Sequence, residues 1–478
     1  MKKILIFLFS PLLFLGQSYV WQQYGTDINS VISYNNVSFS DDGQTLVSSN
    51  PLANSNNGAV TVFRYTNSNW FQLGNSIVNN GAYANSGFGA KVAMDGTGNT
   101  IAFCIRQTPT NIIKIYSYNG TDWVQKGADI TGLNSENFGY DSSFYWSQPI
   151  SFSNDGNTIA IGTNKNSDTG SNSGKVRIYN YSNGNWQQLG SDLKGITGEL
   201  FGTSVELSNN GNILAVGAPG NASIGSNNGA VKVFSFNGTD WQQLGNTVYG
   251  SSASQYVGKT LSMNANGDSF IINLRNNKIY KVYKYSGTDW LQIGQDISDT
   301  TGTSTSYWTV DMNAQGDRVA VSVGRTGAGY STGIQTYDYN GTSWVKNIAD
   351  LTSSNDSAYY YGRYFKLNSD GNYLSTIYYK DETDAPVKVY KNSGSTLSVP
   401  TFYGKSKLNI YPNPVKEKIN VKSSSEISLI EIYDSNGIKV LNTIKSCSID
   451  LSQLTKGVYI LKATFHNGEK SSIKIIKE

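Results

Sequence analysis

A tryptophan-led motif recurs seven times along the chain: Trp21 (WQQYGTDI), Trp70 (WFQLGNSI), Trp123 (WVQKGADI), Trp186 (WQQLGSDL), Trp241 (WQQLGNTV), Trp290 (WLQIGQDI) and Trp344 (WVKNIADL). The separations are 49, 53, 63, 55, 49 and 54 residues. This spacing exceeds that of most helical repeats and matches a four-stranded propeller blade. Between the tryptophans lies a second recurrent element, a tight turn followed by an apolar run: DDGQTLV from Asp41, GTGNTIAF from Gly96, NDGNTIAIG from Asn154, NNGNILAVG from Asn209, NANGDSFII from Asn264, NAQGDRVAV from Asn313 and NSDGNYLST from Asn368. Asn and Gly adopt the positive φ that hairpin turns require, so each site joins two antiparallel strands.

A third element precedes each next tryptophan, as in Val60–Tyr65, Ile113–Tyr118, Val176–Tyr181 and Val231–Phe236. With period-two geometry its first and third positions face one way and its fourth and sixth the other. Both sets are apolar, as expected of a strand in a sheet packed between two neighbours. Each unit therefore reads as strand A (FGTSVELS, Phe201–Ser208), B (NILAVG), C (GAVKVFSF) and D (the tryptophan motif). Trp21 is a D strand with no A, B or C before it, whereas residues 361–391 supply A, B and C with no tryptophan after them. The expected fold is all-β: a seven-bladed β-propeller over residues 19–399 whose last blade is closed by residues 19–29, followed by a connector at 400–407 and a small Ig-like β-sandwich at 408–478. Each tryptophan buries on the order of 200 Å², roughly 5 kcal/mol gross, which suits an architectural stripe better than a sugar-binding surface.

Composition narrows the chemistry. Charged residues make up only 15% of the 478, and Gly (49) and Tyr (32) are abundant. Outside Lys2, Lys3 and residues 405–478 the chain carries 23 basic and 27 acidic residues, no electrostatic footprint for nucleic acid. Cys104 and Cys447 fall in different domains, so no disulfide framework is expected. The single histidine, His466, leaves the main domain without histidine-based triads or metal sites. Lys2-Lys3, the apolar run Ile4–Leu15 and Gly16-Gln17-Ser18 have the order of a cleaved export signal over residues 1–18, and that run is too short to span a bilayer. No transmembrane segment is expected.

Phe201–Gly245, with Phe201-Gly202 and Gly217-Ala218-Pro219, resembles the FG-GAP repeat family, which implies an integrin-α-like propeller. Phe88-Gly89 and Phe138-Gly139 keep part of the motif. Many such repeats bind calcium through a D-x-D-x-D-G loop, but the corresponding segments here, NSNNG from Asn54, NSDTGSNSG from Asn166 and NASIGSNNG from Asn221, lack clustered carboxylates. No metal or other cofactor is carried over. The Lys-rich end, with Tyr411-Pro412-Asn413-Pro414, Asn436-Gly437 and Gly457-Val458-Tyr459, resembles the C-terminal sorting domain of type IX secretion cargo. That resemblance implies export to the cell surface or beyond and a partner in the secretion machinery.

In an alternating four-stranded unit the A–B and C–D turns share one end, and the B–C and D–A loops share the other. The first set is uniformly short and the second varies, so recognition is expected at the second end. Tyr140, Asp141, Tyr145 and Trp146 form one aromatic and polar cluster there, and Tyr359 and Tyr360 belong to another. Aromatic planes beside polar groups suit a glycan or a protein partner, which makes non-enzymatic binding of an extracellular ligand the leading expectation. The rival is a carboxylate-dependent polysaccharide-degrading enzyme using residues among Asp141, Asp168, Glu199 and Glu206; of these, Glu206 alternates with buried positions of strand A and faces a channel on this reading.

Overall fold

A computed structural model describes residues 20–478 apart from residues 29–36, 51–52, 54–56, 80–86, 107–109, 133–137, 140–147, 276–277, 299–308, 325–331, 347, 353–359, 380–385, 393–407, 424–425, 435–438, 444–447 and 466–469. The chain divides into two units, Met1–Gly394 and Ser395–Glu478.

In the first unit the described residues form seven antiparallel sheets. One runs Ser204–Leu207 (A), Ile213–Ala218 (B), Ala230–Phe236 (C) and Trp241–Gln243 (D), with the short strand Val248–Tyr249 returning to pair with C. The other sheets repeat this order. Their A strands are Val37–Phe39, Phe88–Met94, Ile150–Phe152, Leu261–Met263, Val310–Met312 and Tyr360–Leu367. Each A strand touches the next in chain order, and the last touches the first.

Two layers of hydrogen bonds tie the sheets together. At the A–B turns, whose glycines lie at φ 64–75° from Gly43 to Gly371, backbone N–H groups donate to the neighbouring turn's carbonyl: Asp41 to Gly96 at 2.8 Å, Asn154 to Asn209 at 2.9 Å, Asn209 to Ala265 at 2.9 Å, Ala265 to Ala314 at 3.1 Å, Ala314 to Ser369 at 2.8 Å and Ser369 to Asp41 at 3.0 Å. The outer layer uses the repeated tryptophans, all buried at 3% to 9% exposure. From Trp70 to Trp344 the indole N–H of each donates to the carbonyl three residues beyond the preceding tryptophan, as in Trp70 to Tyr24 (2.8 Å), Trp123 to Leu73 (2.8 Å) and Trp186 to Lys126 (2.8 Å). A buried indole N–H needs such an acceptor, so the motif is a fastening between sheets as well as apolar filling. By the same count the position that corresponds for Trp21 is residue 347, which lies outside the described residues.

Seven apolar clusters occupy the contacts between neighbouring sheets. The cluster joining the last sheet to the first contains Ile28, Val37, Phe39, Leu46, Trp70, Ile377, Val387 and Val389. The last sheet takes its D strand from the start of the described chain: Trp21–Gln23 pairs antiparallel with Val387–Asn392, Trp21 opposite Asn392. The Tyr24 N–H donates to the Val389 carbonyl at 2.7 Å and Lys388 Nζ meets Asp27 at 3.0 Å.

The second unit has two sheets, Leu408–Tyr411/Lys418–Ser423/Ser448–Asp450 and Lys439–Thr443/Ile427–Tyr433/Gly457–Phe465/Lys470–Lys477. Ile419, Val421 and Ile449 of the first pack with Ile430, Ile432, Leu461 and Ile475 of the second in one core.

Candidate functional site: the channel between the A strands

Alternation along each A strand decides what faces the axis. In Val205-Glu206-Leu207 the flanking residues are buried between sheets, and Glu206 points the other way, into the space the seven A strands enclose. The equivalent residue of every sheet stands five positions before its turn glycine: Ser38, Ala93, Ser151, Glu206, Ser262, Asp311 and Lys366. Several of these side chains accept the backbone N–H of the next strand. Ser38 Oγ accepts from Met94 (3.1 Å), Ser151 Oγ from Leu207 (3.0 Å), Ser262 Oγ from Met312 (3.2 Å) and Asp311 Oδ2 from Leu367 (2.6 Å).

Three members of the ring are ionisable. Asp311 is fully committed: besides the Leu367 N–H it accepts the Ser262 hydroxyl at 2.8 Å and Lys366 Nζ at 3.2 Å. Burial works against the Lys366 ammonium, but the Asp311 and Glu206 carboxylates outweigh it and hold the group up at about 12. Glu206 has the opposite fate. Burial pushes its carboxyl up to about 7; Lys366 opposes the shift and Asp311 adds to it.

Glu206 and Lys366 line both of two cavities, of about 100 and 130 Å³. The larger reaches the A–B turns. The smaller lies where the A strands begin, at the D–A end, and is also lined by Lys91, Gln148, Thr260, Thr309 and Tyr364. Lys91 is 3% exposed, with its ammonium 5.9 Å from the centre of the Tyr364 ring.

The other carboxylates named from sequence are placed differently. Glu199 is buried, pairs with Lys232 at 2.7 Å and accepts from Asn221 Nδ2 (3.0 Å) and the Ile196 N–H (2.9 Å). The Asp168 carboxyl is held down at about 2 by the Asn166 side chain and by Lys175, whose buried ammonium lies 3.0 Å away. Both therefore serve local ion pairs. Tyr140, Asp141, Tyr145, Trp146 and Tyr359 lie outside the described residues; Tyr360 opens its A strand opposite Tyr379. Among the described residues no three His, Cys, Asp or Glu gather to hold a metal, and no helix is long and apolar enough to cross a membrane. Lys91, Asp311 and Lys366 were not singled out by sequence reasoning; counting back five positions from the turn glycine reaches Asp311 and Lys366 directly, whereas Lys91 stands two positions before the ring residue Ala93.

At the C-terminal unit, Tyr411 is 53% exposed at a strand end. Asn413 Oδ1 accepts the Ile476 N–H at 2.8 Å, and Val415 exchanges backbone bonds with Ile476 and Glu478 at 2.8 and 2.9 Å. Gly457 pairs with Lys477, and the buried Tyr459 donates its hydroxyl to the Thr455 carbonyl at 2.8 Å. Asn436 and Gly437 lie outside the described residues.

Residues 409–478 match the family described as the secretion system C-terminal sorting domain. No curated protein matches the chain. Similar solved structures include the β-propeller domain of Myceliophteria thermophila Cps50 (Swd1), 10% identical with a TM-score of 0.48, covering 78% of this chain and 99% of that one. Kluyvelomyces marxianus Hsv2 is 11% identical with a TM-score of 0.46, covering 88% of this chain and 99% of that one. The matched tail directs the chain through type IX secretion to the cell surface or the extracellular space.

Proposed function

We propose that the mature chain, freed of residues 1–18, is a seven-bladed propeller of FG-GAP type over residues 19–399, joined through 400–407 to an Ig-like sorting sandwich at 408–478. It binds an extracellular glycan or protein without chemical turnover. Support for the repeat type comes from the buried Phe201 and from Gly202, at φ 86°, where a Cβ would stand 2.7 Å from the Lys175 carbonyl oxygen. The observation that carries the binding reading is the difference between the two ends of the sheets. Uniform turns laced by backbone hydrogen bonds occupy one end, and the polar cavity beside Gln148 and Tyr364 lies at the other. Gln148 follows the segment containing Tyr145 and Trp146, and Tyr364 follows Tyr359 and Tyr360. On a glycan array, joint Tyr145→Ala and Trp146→Ala substitution is expected to weaken binding by about tenfold or more, the value of a lost aromatic stack. Undiminished binding by the double variant removes those residues from the site.

A second reading is favoured by Glu206 alone. A carboxyl held near 7 suits a general acid or base at neutral pH. If the chain cleaves a polysaccharide, Glu206→Gln should lower the rate by about 100-fold or more. Failure of the unaltered protein to release product across a broad polysaccharide panel disposes of this reading.

A further inference from the structure

We propose that the smaller cavity, at the D–A end of the channel, is a binding site for a small carboxylate, either a free monocarboxylate or the acid group of a uronic sugar. Its walls bring together Lys91, Lys366, Gln148, Thr260, Thr309 and Glu206. Asp311, the neighbouring carboxylate, is used up by Lys366, Ser262 and the Leu367 N–H. Among the described residues nothing hydrogen-bonds to the Glu206 carboxyl. Because burial holds that carboxyl near 7, its neutral form, a hydrogen-bond donor, is well populated at and below neutrality. The Lys91 ammonium, the Lys366 ammonium paired with Asp311, and a protonated acid around one small polar space leave an excess of positive charge and donors, which complements an anion with paired acceptor oxygens. A cationic ligand would meet both lysines, and an apolar one would strip polar walls of solvent without replacing their partners.

The charged and titratable groups facing Glu206 are Lys366 and Asp311 in the ring, with Lys91 and Tyr364 one layer above. Ionisation of Glu206 places a negative charge beside the bound anion. Binding is therefore coupled to the Glu206 proton, and affinity falls as pH rises. This inference is independent of recognition by the surrounding loops, because its probe is too small to need them.

Acetate, galacturonate and galactose are titrated calorimetrically into the full mature chain at pH 6 and pH 8. Acetate and galacturonate are expected to bind, with affinity about tenfold lower at pH 8, the change that follows if only the protonated Glu206 form binds. Glu206→Gln, which mimics the neutral acid, should keep binding and reduce the pH effect to less than about twofold. Lys91→Met should weaken binding by about tenfold or more, with melting curves checking that both variants are folded. Tighter galacturonate than acetate supports the uronic source, and equal affinities support the free monocarboxylate. The proposal is overturned if the folded chain binds neither acid, if affinity holds or rises at pH 8, if galactose binds as well as galacturonate, or if Glu206→Gln retains the tenfold pH effect. Failure on a glycan array leaves these outcomes readable, and acetate binding says nothing about the loop aromatics.

Discussion

A chain ending at residue 404 is expected to stay in the periplasm, with its signal in the medium and at the cell surface reduced by about tenfold or more, since a sorting tag is an address read by a receptor. Residues 409–478 match a secretion sorting family. They also fold around a core of their own, from Val415 to Ile475, while all seven clusters of the first unit are built from residues before 394. Removing the tail should therefore leave the first unit folded. Fractionation with a protease-resistance assay separates the cases: a resistant periplasmic fragment fits a lost address, whereas undiminished export of the truncated chain contradicts the sorting role.

Deleting residues 19–29 is expected to lower the melting temperature of the first unit by about 10 °C. The deletion removes the Trp21–Gln23 ladder, the Tyr24 and Ile28 backbone bonds to Val389 and Val387, and the Lys388–Asp27 ion pair. Its largest loss is apolar. Trp21 packs with Ile334, Ile348, Phe365 and Leu374, and Ile28 sits in the cluster between the last and first sheets. At about 25 cal/mol per Å², a tryptophan and an isoleucine together account for roughly 7 kcal/mol of gross burial, and a unit of this size shifts by one to two degrees per kcal/mol. Scanning calorimetry checks it. A melting temperature unchanged by the deletion would mean that this strand contributes nothing to closure.

Much of the architecture is legible in the sequence because the repeats carry phase as well as spacing. Trp21 without a preceding A–B–C run, and Tyr361–Lys391 without a following tryptophan, placed the first strand beside the last sheet, where Trp21 stands opposite Asn392. The placement of Glu206 was accessible for a similar reason, since strict alternation in Val205-Glu206-Leu207 leaves it only the axial side. Its partners were not. Asp311 and Lys366 lie 105 and 160 residues further along, and only closure of the sheets into a ring brings their charges within reach of Glu206. Asp168 and Glu199 misled in the opposite direction. As isolated letters they are candidate acids, but Lys175 and Lys232 reach them through cross-strand and loop geometry that no local pattern encodes.

The Asn413 side chain holds the backbone of Ile476, and Val415 is stitched to the same final strand. Removing residues 474–478 would leave Tyr411-Pro412-Asn413-Pro414 in the sequence while stripping away the backbone on which Asn413 and Val415 rest. Two stretches 63 residues apart along the chain therefore hold their shape, or lose it, together.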